Sequence, residues 1–139
     1  MQILRPQFLC LGLLAFLMAT PAFAGPVPLP QETHINDELR AGAAGDILRQ
    51  TCPSIKARMF VVWSRLYALR DYALSKGYTE PEVKAFLDDD AQKARVKAEA
   101  NAYLANAGAK KGDVESYCQV GRDEIAKNTP LGQLLRSTK

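Results

Sequence analysis

A chain of 139 residues with 18 Lys and Arg against 15 Asp and Glu is too evenly charged, and too mixed in sign along its length, to argue for a nucleic acid or other polyanion as partner. One histidine and three cysteines leave few side chains from which a metal or haem site is made, and the length suits a single domain.

The chain opens on MQILRPQFLCLGLLAFLMATPAFAG. Arg5, an apolar run from Phe8 to Ala19, and small residues at Ala22 and Ala24 form the pattern of a secretory signal, with cleavage expected after Ala24. The run is well short of the roughly 20 residues that span a bilayer, so residues 1–24 read as a leader rather than an anchor. Cys10 would leave with it. Cys52 and Cys118 then remain as an even pair in an exported protein, where a pair most often means one disulfide.

Residues 25–35 carry Pro26, Pro28 and Pro30 at alternate positions and read as an extended arm. Residues 36–139 read as one helical domain. From Asn36 to Gln50 the spacing of Leu39, Ala43, Ile47 and Leu48 predicts a helix, weakened by Gly42 and Gly45. Pro53 suits a first turn, and SIKARMFVVWSRLYALRDYALSKG predicts one long helix closing at Gly77. Ile55, Met59, Val62, Leu66, Leu69 and Ala73 draw its apolar face.

Thr79 and Glu82 have the spacing of a capping box and open a third helix, with Val83, Phe86 and Leu87 on its apolar side. The triplet Asp88-Asp89-Asp90 ends it and favours the next start, Ala91 to Ala107, which stops at Gly108. Asp113 suits the cap of a helix running to about Asn128. Thr129-Pro130 repeats the cap-then-proline signal before a last short helical turn in LGQLLR. No segment alternates as a strand does. The fold class is all-α, a small bundle of four to five helices.

Helical spacing also places the cysteines. Val114, Tyr117, Cys118, Gly121 and Ile125 share one apolar face, and Cys52 lies in register with Ile55, Met59 and Val62. Two inward thiols in an oxidising compartment make a Cys52–Cys118 disulfide the expectation. Closing a loop of about 65 residues would stabilise the fold by roughly 4 kcal/mol in the chain-entropy model. Gly121 costs its helix about 1 kcal/mol relative to Ala, so it is expected to mark the close approach of another helix. Asp123 and Glu124 fall on the outer face.

The ingredients of catalysis are missing. His34 lies in the arm, no cysteines or histidines have metal-ligand spacing, and Asp88-Asp89-Asp90 lacks the spaced oxygens and glycine of a calcium loop. No catalytic residue, metal or cofactor is expected. The long helix is what invites a partner, because Met59-Phe60-Val61-Val62-Trp63 is apolar all round. Two arrangements satisfy that pattern. It is either the central helix of the bundle, or Phe60, Trp63 and Tyr67 form an exposed aromatic patch flanked by Arg58 and Arg65.

Cys52-Pro53, Arg58, GYT-x-x-E-V-x-x-F-L at 77–87 and YLANAGAKKGDVESYCQVGRDEIAKNTPLGQLL at 103–135 together resemble a family of small exported proteins from alphaproteobacteria, classed as a domain of unknown function. The resemblance covers about residues 45–136. It implies periplasmic residence and a two-cysteine helical plan, and it brings no catalytic residues. Two function classes fit. One is a non-catalytic interaction protein, such as an accessory subunit on the periplasmic face of a respiratory membrane complex like NADH:quinone oxidoreductase. The other is an ATP-independent periplasmic chaperone resembling the small acid-stress type.

Overall fold

Pro53 decides the chain's first reversal. The residue before a proline is held out of the helical region, and Cys52 adopts φ −101°, ψ 116°. In the computed structural model, which describes residues 25–138, helix α1 (Thr33–Thr51) therefore stops one residue earlier. The chain turns at Pro53 and Ser54 and enters strand β1 (Ile55–Ala57). This strand pairs antiparallel with β2 (Leu135–Ser137), in the register Ile55↔Ser137, Lys56↔Arg136, Ala57↔Leu135. The long helix expected from Ser54 thus begins only at Met59, as α2 (Met59–Ser75), and the helical turn expected over LGQLLR ends at Gln133. Two segments far apart in the sequence complete each other's backbone hydrogen bonds, a pairing that local spacing does not encode. The proposed leader, residues 1–24, lies outside the described residues.

The remaining elements are α3 (Glu80–Asp88), α4 (Asp90–Asn106), α5 (Val114–Ala126) and α6 (Pro130–Gln133), with one 3-10 turn at Leu29–Gln31. Among the described residues the protein is a helical bundle carrying one small two-stranded sheet and one disulfide. Helix ends follow local chemistry. Glu82 and Thr79 exchange hydrogen bonds as a capping box, and Asp89, Asp113 and Thr129 accept from the N–H groups of Gln92, Ser116 and Gly132. At φ +94° Gly77 closes α2, letting the Tyr78 N–H reach the Ala73 carbonyl at 3.2 Å.

The N-terminal arm is shorter than expected and tied down. Glu32 caps α1 by accepting from the Ile35 N–H, and Leu29 and Ile35 are buried. Asn36 donates to the carbonyls of Leu29 (2.8 Å) and Glu32 (2.6 Å) and accepts from Arg95 on α4. The Tyr78 hydroxyl donates to the Val27 carbonyl. His34 stands exposed at the start of α1, edge-on to the Tyr72 ring.

The hub is α1, against which α4, α5 and α6 pack. Ala44, Leu48, Cys52, Ile55, Leu104, Cys118 and Leu131 belong to the main core. Gly45 lowers the helix propensity of α1 but lets Leu131 come to van der Waals contact, 3.4 Å from where a Cβ would stand. A second, smaller cluster of Leu29, Ile35, Ala73, Tyr78 and Phe86 joins the arm to α2 and α3.

Candidate docking surface

Cys52 and Cys118 form a disulfide between the end of α1 and the middle of α5, with Cα atoms 5.1 Å apart and both residues buried. One turn along α5, Gly121 faces Ile55. A Cβ there would lie 2.8 Å from Ile55 Cγ1, so the expected close approach is made by a strand residue rather than by a helix. Gly132 is tighter still, because a Cβ would overlap the backbone carbonyl of Glu124. Glu124 is buried, not on the outer face. Its carboxylate accepts from the hydroxyls of Tyr103 (2.8 Å) and Thr129. Val114, expected inward, is exposed. These contacts fasten α5 to β1 and α6, with both sulfurs enclosed in the core.

The exposed chemistry lies on α2. Ala73 is its only buried residue, with Val61, Val62, Leu69 and Tyr72 half-buried against the two cores. Phe60, Trp63 and Tyr67 are 88%, 53% and 63% exposed, and Met59 and Leu66, expected inward, are about half exposed. At 100° per residue these five side chains form one stripe beside the buried face. Together they offer on the order of 600 Å² of mostly apolar surface, at the upper end of what a monomer usually shows.

The stripe borders an apolar groove of about 620 Å³ between α2 and α3. Leu66, Leu69 and Leu74 form one wall, Val83 and Phe86 the other, and Ile35 of α1 belongs to the lining. Charges on this rim are matched within the chain. Arg70 pairs with Glu80 and, at 3.6 Å, with Asp71, while Lys84 pairs with Asp88. The Lys84 ammonium, by hydrogen bond and charge, holds the Asp88 carboxyl below the usual carboxylate range.

Of the two arginines expected to flank the aromatic patch, only Arg58 is placed to do so. It is exposed at the start of α2, and its Nη1 lies 3.4 Å from the Gln133 carbonyl. Arg65 turns away, pairing with Glu38 of α1 and donating to the Pro130 carbonyl at 2.8 Å. Lys56 and Arg136, cross-strand neighbours, are exposed beside Arg58 in sequence or pairing. Among the described residues no carboxylate lies within ion-pair distance of these three cations.

The groove escapes sequence reasoning because its walls come from separate helices. A signal was present nonetheless: α2 repeats apolar residues at 60, 63, 67 and 74 as well as on its inward face, more than one buried stripe uses. A family model described as a family of unknown function (DUF5333) matches residues 27–136. The chain belongs to that family. The matched DUF5333 span takes in both disulfide-bonded cysteines, all of α2 and the groove. No curated protein and no solved structure matches the chain. No helix among the described residues is long and apolar enough to cross a membrane.

Proposed function

We propose that this chain is an exported, non-catalytic interaction protein that holds another polypeptide against the exposed face of α2. The observation carrying this reading is the exposure of Phe60, Trp63 and Tyr67 together on one helix, beside an apolar groove. Aromatic residues cost little conformational entropy to fix and are enriched where partners anchor. Export rests on the leader pattern of residues 1–24 and on a disulfide in the core, which persists in oxidising compartments. The assembly to examine first is a respiratory membrane complex, NADH:quinone oxidoreductase above all, with this chain as an accessory subunit on its periplasmic face.

The test is affinity purification of a tagged copy from detergent-solubilised membranes. Stoichiometric recovery of one complex, lost when Phe60, Trp63 and Tyr67 are changed to serine, is the expected result. Recovery of many unrelated exported proteins, together with acid sensitivity on deletion, would replace this reading with that of a chaperone. There the same apolar face would hold unfolded clients.

A further inference from the structure

We infer that the occupant of the α2–α3 groove is an amphipathic helix of a partner protein whose apolar stripe ends in carboxylates, seated with those carboxylates at the N-terminal end of α2. This rests on the reading of the α2 face as a docking surface and adds the chemistry and direction of what docks.

The apolar part of the surface runs from Met59 to Leu74, roughly 22 Å or about four turns at the rise of an α-helix. Its concave part lies between two helices, a shape that a helix fills and a flat bilayer surface does not. Along the groove the charges are already matched, Arg70 with Glu80 and Lys84 with Asp88. At the N-terminal end of α2 Lys56, Arg58 and Arg136 stand exposed together, with no carboxylate within ion-pair distance among the described residues. The start of α2 adds the positive end of the helix dipole and has no side-chain cap. An occupant is therefore apolar along most of its length and acidic at one end. A second copy of this chain meets that need poorly. Antiparallel pairing would bring up Asp71 and Glu80, which Arg70 already holds, and parallel pairing would set cations against cations.

Trp63 is the chain's one tryptophan and sits on the surface concerned, so its emission reports occupancy directly. The probes are two synthetic four-turn amphipathic helices with the same leucine stripe, one ending in three glutamates and the other in three lysines. The glutamate peptide is expected to bind about ten-fold more tightly or better, and a chain carrying Lys56→Glu, Arg58→Glu and Arg136→Glu to reverse the order. Added salt must weaken the glutamate peptide on the unsubstituted chain, which gives the same answer without a variant. Equal binding of the two peptides, or binding of neither, would overturn the inference. So would a Trp63 shift produced by protein concentration alone, or by anionic vesicles but not by peptide. The docking reading fails separately, if the serine variant of the aromatic patch still recovers its complex.

Discussion

Gly132 stands where any larger residue would press on the Glu124 carbonyl, at the junction where α6 folds back on α5. Backbone cannot yield as a side-chain tip can, so Gly132→Ala is expected to destabilise the fold by about 1–3 kcal/mol, read as a lower midpoint in chemical denaturation. Gly121 faces the side chain of Ile55, and the two sites should couple: valine at 55 lacks the Cδ1 that a Cβ at 121 would meet at 3.0 Å, so Gly121→Ala with Ile55→Val should lose less than the two single losses added. Tyr103 offers a pH test. Burial, and then the hydrogen bond to Glu124, push its phenol up to about 12. The fold thus holds this proton more tightly than the unfolded chain. The contribution is complete below the ordinary tyrosine value near 10 and is lost as pH rises to about 12. Thermal stability should fall across that window, and less steeply in Tyr103→Phe, which is already weaker at neutral pH because Glu124 has lost a donor. The inward cysteines and the need for a small residue at 121 were legible from helical spacing. The burial of Glu124 was not, because its partners Tyr103 and Thr129 come from outside its own helix.

At the level of elements, helix starts and stops were the most readable feature, since a cap bonds within three or four residues and carries its own signal. Thr79, Asp113, Thr129 and Gly77 all act where the sequence places them. The segment after Pro53 shows the opposite case. Ile55–Ala57 can continue a helical pattern, and it becomes a strand because β2 supplies its hydrogen bonds and Gly121 a seat for Ile55. The disulfide joins the end of α1 to α5 next to this strand, tying together helices far apart in the sequence. Cys52→Ser with Cys118→Ser is expected to cost roughly 4 kcal/mol of stability. Alkylation of the folded protein should label neither position until reductant is added; labelling of Cys118 beforehand would refute the bond in solution.

Considered whole, the molecule has its hub in α1 and leaves α2 at the margin. Gly45, which weakens α1 as an isolated helix, helps to make it the hub by admitting Leu131 and Leu135 close to its axis. The apolar surplus of α2 is left facing solvent. Changing Phe60, Trp63 and Tyr67 to serine should therefore leave thermal stability within about 0.5 kcal/mol per site, whereas Leu48→Ala in the main core should cost about 2–5 kcal/mol. Equal losses at both places would mean that α2 is packed in solution as a core helix.

The sequence by itself determined the helical class, most helix boundaries and the facing of both cysteines, because each depends on contacts within a few residues along the chain. Only the tertiary structure decided which helix is central, that residues 55–57 and 135–137 form a sheet, and that the aromatic stripe of α2 is open. A helix that is apolar on two faces satisfies the same local rules whether it is enclosed or exposed. The choice falls to the packing of its neighbours, and here they cover one face and leave the other bare.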